Sequence, residues 1–198
     1  MRRTLRACSM ADTVLETARL VLRQIGEDDL DVHMAVLNTP AVMRWLGGVQ
    51  PRAVIAAKHA ASREGFAREG FGFMMMIEKA SGALVGHCGL RRIAHPLAPN
   101  PGDHEIGWLV REDRWRMGYA YEAMRAVVEW GFGTHDAPHI VAMTCHANEG
   151  SWRLMEKLGM TRRDDLAFCN PEDPPEETPT IQYAITRAEW AKSNKATS

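Results

Sequence analysis

Residues 111–132, REDRWRMGYAYEAMRAVVEWGF, constrain the fold more than any other stretch of this chain. They carry the pattern of a strand end, a tight basic turn with one glycine, and an amphipathic helix. The segment just before, HEIGWLV at 104–110, alternates bulky Ile106, Trp108 and Val110 around Gly107 and predicts a strand. Ala120, Met124, Val127 and Gly131 then recur at helical spacing, while Glu122, Arg125 and Glu129 fall on another face. A helix opening on Gly118 leaves its first N–H groups without intrahelical partners, and these groups together with the helix dipole favour an anion. Arg114 and Arg116 add positive charge at the same end. The pattern predicts a turn that holds phosphate; its plain alternative is an ordinary strand–turn–helix with solvated arginines.

Composition sets the frame around that segment. A chain of 198 residues, 45% hydrophobic, can bury one good core, so a single domain over 14–191 is expected, with a disordered tail over 1–13 and a short tail over 192–198. Lys plus Arg number 24 against 25 Asp plus Glu, which points to neither nucleic acid nor a membrane surface as partner. No apolar run approaches the ~20 residues of a membrane-spanning helix. Arg2-Arg3 and the string at 5–8 superficially evoke export or lipoprotein signals, yet lack the apolar core of roughly 7–15 residues that such signals need. A cytoplasmic location is therefore expected, with Met10 as an alternative start. The four cysteines, Cys8, Cys88, Cys145 and Cys169, show no CxxC spacing and suit reduced thiols. Cys145 and His146 are strand neighbours that point to opposite faces, so they predict no nucleophile–base pair. His135 and His139 form an HxxxH without Cys partners, and no metal is expected.

Common nucleotide-binding loops are absent. The chain has no Gly-Lys pair for a P-loop, and Gly70-Phe71-Gly72 and Gly131-Phe132-Gly133 lack the third glycine of a dinucleotide fingerprint. What residues 115–120, Trp-Arg-Met-Gly-Tyr-Ala, do resemble is the pyrophosphate loop of the GNAT family of acetyl-CoA-dependent N-acetyltransferases, usually Gln/Arg-x-x-Gly-x-Gly/Ala. Trp115 departs from the usual Gln or Arg in a way common in the branch that resembles ribosomal-protein N-terminal acetyltransferases.

The resemblance covers most of the chain. LETARLVL at 15–22 resembles that branch's opening strand, and Asp28 or Asp29 would cap a first helix. Pro51 suits the first turn of a second helix running to about Arg68. Segments 71–77 and 84–90 predict a hairpin through Ser81-Gly82, and 140–147 the strand after the phosphate-binding helix. Asn148, Ser151 and WRLMEKLG at 152–159 resemble the family's closing helix, with Gly159 at its left-handed end. Segment 181–186 followed by Glu189-Trp190 resembles the last strand and its tail. The implied fold is α/β (α+β): a mixed, mostly antiparallel twisted sheet, splayed at its centre and flanked by about four helices.

Chemistry follows from what a thioester-to-amine transfer demands. The acceptor must lose a proton, the carbonyl oxygen needs donors as it becomes an oxyanion, and the leaving thiolate benefits from an acid. The resemblance implies acetyl-CoA as co-substrate along the strand ending at Val110, with backbone N–H of Leu109 or Val110 polarising the carbonyl. Arg114, Arg116, Met117, Gly118, Tyr119 and Ala120 would hold the pyrophosphate, and Asn148 would order cofactor or water. Glu105 is the candidate base, acting through a water, with an exposed strand carboxylate as the alternative; His104, facing the other way, ranks second. Met155 stands where many members carry a tyrosine as the acid; Ser151, after Asn148, resembles the serine used by the ribosomal-protein branch, which implies it as the candidate acid, against a plain helix-cap role. The acceptor is a primary amine, either a protein N-terminus or a small molecule, and the acid-rich loop at 170–179 could attract it. The alternative is a non-catalytic acyl-CoA sensor or interaction module of the same fold. A homodimer stays open.

Overall fold

The computed structural model describes residues 12–195; Cys8, Met10 and nearly all of the expected N-terminal tail lie outside the described residues. The chain opens with β1 (Thr13–Glu16) and β2 (Leu20–Gln24), then α1 (Asp29–Val36) and α2 (Arg52–Glu69). The hairpin β3 (Phe73–Glu78) and β4 (Leu84–Arg92) follows, then β5 (His104–Val110), α3 (Tyr119–Thr134) and β6 (His139–Cys145). The remaining elements are α4 (Glu149–Lys157), β7 (Thr161–Phe168), β8 (Thr180–Thr186) and α5 (Arg187–Lys195). One eight-stranded sheet runs in the order β1-β2-β3-β4-β5-β6-β8-β7, antiparallel except between β5 and β6.

Strand alternation divides the sheet's two faces. Met74 and Met76 join the core under α3 with Leu20, Leu22, Ile106 and Val110, whereas Met75 packs on the opposite face with Ile25 and Leu37 near α1. The consecutive methionines therefore serve two cores. On the α3 side, Ala123, Met124, Val127 and Val128 are fully buried. Gly131 lets α3 approach the sheet, since a Cβ there would sit 2.9 Å from Ile140 Cδ1.

Three local expectations change. The single strand expected over 15–22 is a hairpin, because the Thr17 hydroxyl (2.6 Å) and the Arg19 N–H (2.7 Å) both donate to Glu122 and turn the chain there. Pro51 is the N-cap of α2 rather than a first-turn residue. The tail expected at Glu189-Trp190 is helix α5, anchored by buried Trp190, whose indole donates to Glu129 at 2.6 Å. At α1, Asp28 takes the N-cap position without a side-chain cap bond. Asp29 instead accepts both Arg23 guanidinium nitrogens and the Gly26 N–H, each at 2.7 Å, tying the helix start to β2.

The feature that positions the site is a wedge in the sheet. β5 stays paired with β4 along its whole length, from His104↔Arg92 to Val110↔Gly86. With β6 it pairs only at His104↔Ile140 and Glu105↔Val141. Beyond Glu105 the two strands part.

Candidate active site

Ladder parity decides which β5 groups face the wedge. Val110 is paired with Gly86, yet it is the next residue, Arg111, whose N–H donates to Val85 O at 2.9 Å. Val110 is thus a non-hydrogen-bonded position, and its own N–H and C=O turn away from β4 into the gap. Two residues earlier, Trp108 has the same orientation, while Leu109 directs its N–H to β4. An independent contact agrees: the Val110 carbonyl accepts the Trp115 indole N–H at 2.7 Å. The donors that face the wedge are therefore those of Trp108 and Val110, which corrects the expectation for Leu109.

At the wide end of the wedge lies the glycine turn. Arg116 (φ 61°) and Gly118 (φ 82°) both have left-handed backbone, a conformation that glycine adopts freely and arginine only at a cost. Gly118 is the N-cap of α3 and makes no side-chain cap bond. Beneath the turn stands Arg19, a residue the sequence does not single out. Its Nη1 donates to the Met117 carbonyl at 2.9 Å, its Nε pairs with Glu122 at 2.6 Å, and its guanidinium stacks 4.3 Å from the Tyr119 ring centre. The Tyr119 hydroxyl donates to Glu78, so Tyr119 supports the turn from within rather than offering a free donor. Trp115 and Met117 are about half exposed on its rim. Arg114 bonds Asp113 and carries a buried Nε without a partner.

A cleft of about 1100 Å³ runs from this turn through the wedge to the α1–α2 face of the sheet. Gly118, Tyr119, Ala120, Trp108, Leu109, Val110, Asn148 and Ser151 line it, as do Glu105 and Arg91. Asn148 is the N-cap of α4 and accepts the Ser151 N–H at 3.4 Å. The cap role is taken by Asn148, and the Ser151 hydroxyl is left for other work. Met155 is 1% exposed in the core under α3 and has no reach into the cleft.

Glu105 does lie in the cleft, but both its oxygens accept from Arg91, at 2.7 and 2.9 Å. At about 3.4 Å per residue it sits roughly 10 Å along the strand from Trp108 and roughly 17 Å from Val110. One water does not bridge that span. His104 points to the other face, packs 5.4 Å from Phe71, and is held down to about 4 chiefly by burial and then by Arg92. The acid-rich loop lies beside the cleft, where Glu177 accepts a backbone bond from Gly47. Of the HxxxH pair, His139 bonds Asp103 at 2.8 Å and His135 packs 4.4 Å from Trp130.

Residues 19–161 match the family model described as an acetyltransferase (GNAT) domain. The chain belongs to the GNAT acetyltransferase family. It is 31% identical over 157 residues to the uncharacterized N-acetyltransferase YoaA of Bacillus subtilis, covering 77% of this chain and 85% of that protein. It is 28% identical over 194 residues to the FsC-acetyl coenzyme A-N(2)-transacetylase of Aspergillus fumigatus, covering 93% of this chain and 81% of that one. The crystal structure of an acetyltransferase from Agrobacterium tumefaciens superposes with a TM-score of 0.72 at 24% identity, over 94% of this chain and all of that one. That likeness establishes the fold. The GNAT protein is accordingly an acetyl-CoA-dependent acetyltransferase. Its residues fit the co-substrate: the unpartnered Arg114 Nε and the open left-handed Gly118 suit a phosphate, and the free donors of β5 suit amide carbonyls. Among the described residues no helix is long and apolar enough to cross a membrane.

Proposed function

We propose that this GNAT protein transfers an acetyl group from acetyl-CoA to a primary amine by direct attack within a ternary complex. The observation that carries this is the continuity of the open β5 edge with the glycine turn. The turn at 116–120, with Arg114, holds the pyrophosphate. The Val110 and Trp108 N–H groups meet the pantetheine and the thioester carbonyl, supplying fixed donors where negative charge develops. Asn148 and Ser151 stand across the wedge on α4, where the Ser151 hydroxyl supplies a proton to the departing thiolate. Glu105, bound by Arg91, reaches the reacting atoms only through several waters, and anchors the far end of the cleft.

The acceptor enters from the α1–α2 face, and is a protein N-terminus or a small amine. A thermal shift with acetyl-CoA, followed by thiol release on N-terminal peptides and small amines, tests this. Saturation at 100 times the dissociation constant should add about 2.7 kcal/mol of stability. Absence of any shift sinks the proposal, and a shift without turnover on any amine removes the catalytic half.

A further inference from the structure

Three histidines from three separate elements meet on the acceptor face: His33 of α1, His59 of α2 and His87 of β4. His33 and His59 are 2% and 3% exposed, and their rings share a hydrogen bond, Nδ1 to Nε2, at 3.0 Å. His87 meets His33 edge-on, with ring centres 5.3 Å apart, and packs 5.1 Å from Phe73. All three line the cleft. His33 Nε2 and His87 Nδ1 are both buried with no hydrogen-bond partner. Buried polar atoms are nearly always satisfied, so two orphaned ring nitrogens at one contact call for a ligand group or water between them.

Position adds the second argument. His87 is the cross-strand partner of Leu109, and so shares its face about 5.5 Å away, Cα to Cα. Leu109 lies between Trp108 and Val110, whose N–H groups face the wedge. His87 is therefore far nearer to those donors along the ladder than Glu105; of the other ionisable side chains nearby, Cys88 opposite Trp108 is buried in the core under α3 and Arg111 is bound to Asp113. Resting on the transferase proposed above, we infer that His87 takes the proton from the acceptor nitrogen, with His33 and His59 passing it on, and that the acceptor enters as an uncharged primary amine.

In this step the nitrogen lone pair forms the C–N bond, the C–S bond breaks with its electron pair going to sulfur, and the nitrogen's proton moves to His87. The thiolate gains its proton from Ser151, which recovers one from water in the cleft, and the proton on His87 leaves through a water between its Nδ1 and His33 Nε2, then along the His33–His59 bond. The surroundings keep the three rings neutral. Burial depresses His87 most, helped by His33, His59, Lys58 and Arg91; His33 is held at about 4 by burial, His59 and Lys58, opposed by Asp29. His59 is lowered by burial and by Arg63, against Asp29, which Arg23 neutralises. The other charged groups that line this face are the cations Arg44, Arg68 and Arg92 and the carboxylates Glu105 and Glu69. Both carboxylates are bound to arginines, Glu105 to Arg91 and Glu69 to Arg68 and Arg92, so neither carboxylate that lines the cleft is left to hold an ammonium. At pH 7 roughly one α-amine in ten is neutral, against roughly one lysine side chain in 2,500, so an α-amine fits far better.

The test compares wild type and His87→Gln in thiol release, using an alanine-initiated tripeptide and Nα-acetyl-lysine amide as acceptors. Turnover of the peptide should fall ~10²- to 10⁴-fold in the variant while the acetyl-CoA thermal shift is retained. A variant within threefold of wild type overturns the role of His87 and leaves the transferase standing, whereas loss of the acetyl-CoA shift in wild type strikes the transferase itself. Equal turnover of the two amines at pH 7 overturns the uncharged acceptor. A second measurement needs neither turnover nor a variant. The ¹⁵N resonances of His87 in the CoA-saturated wild type should report a neutral ring at pH 6.5 that shifts when the tripeptide is added. A ring already protonated, or one unmoved by the peptide, overturns the inference.

Discussion

The Trp115 indole donates a 2.7 Å hydrogen bond to the carbonyl oxygen of Val110, joining the glycine turn to the open strand edge. At this position many family members carry Gln or Arg; here a half-exposed indole fixes the turn against the strand. Trp115→Phe keeps an aromatic ring and removes the donor, at a net loss of about 1 kcal/mol. The dissociation constant for acetyl-CoA should rise roughly fivefold, since about 1.4 kcal/mol is tenfold. Calorimetric titration checks it, and unchanged affinity would show that the bond only decorates the rim.

Gly118→Val tests the turn itself. With φ at 82°, any side chain there is strained, and a Cβ would lie 3.3 Å from Arg19 Nη2. The left-handed conformation alone costs an L-residue about 1–2 kcal/mol, more with a branched side chain. Because Gly118 is exposed, the protein should still fold, with a modestly lower melting temperature and no acetyl-CoA shift. Arg19→Met should weaken the cofactor less, since it frees the Met117 carbonyl without filling the turn.

How much of this was legible in the sequence depends on the reach of each interaction. The β5–turn–α3 unit is readable because period-two alternation, one glycine and helical spacing are all local signals. Ladder parity is not local: that Val110 and Trp108, rather than Leu109, face the wedge follows from which β4 residue bonds Arg111. Arg19 acts on Met117 and Glu122 from the far end of the sequence, and no spacing announces it. The same holds for His33, His59 and His87, brought together by three elements that each read as ordinary. Glu105 shows the converse: its strand and face were readable, but its engagement with Arg91 appears only when β4 is laid beside β5.

The Glu105–Arg91 pair gives a third prediction. Glu105 is 5% exposed, whereas the Arg91 side chain is 56% exposed, so the pair is partly screened. Glu105→Gln removes the charge and one strong acceptor, which should lower stability by about 1–3 kcal/mol. Turnover should fall less than tenfold, because the carboxylate anchors the cleft rather than meeting the reacting nitrogen. Denaturant midpoints and steady-state rates on the tripeptide check the two halves; a loss of ~10²-fold or more with unchanged stability would restore Glu105 as the base.

Stability should fall with acid, and the histidines set where. His33, His59, His87 and His104 are all depressed below their ordinary value of 6.5, chiefly by burial, His33 and His104 to about 4. The unfolded chain binds protons at these groups before the folded one does, so folding stability drops as pH falls below about 6.5 and is fully present above it. For Asp29 burial pushes up, but its bonds to Arg23 and Gly26 together outweigh that and leave it lowered, so it adds its loss at still lower pH. The melting temperature should therefore be flat from about pH 7 to 8 and decline steadily between about 6.5 and 4. His33→Phe, which fills the same space without a titrating ring, should shrink that decline while leaving the plateau within a few degrees. An unaltered slope in the variant would mean that other groups carry the acid sensitivity.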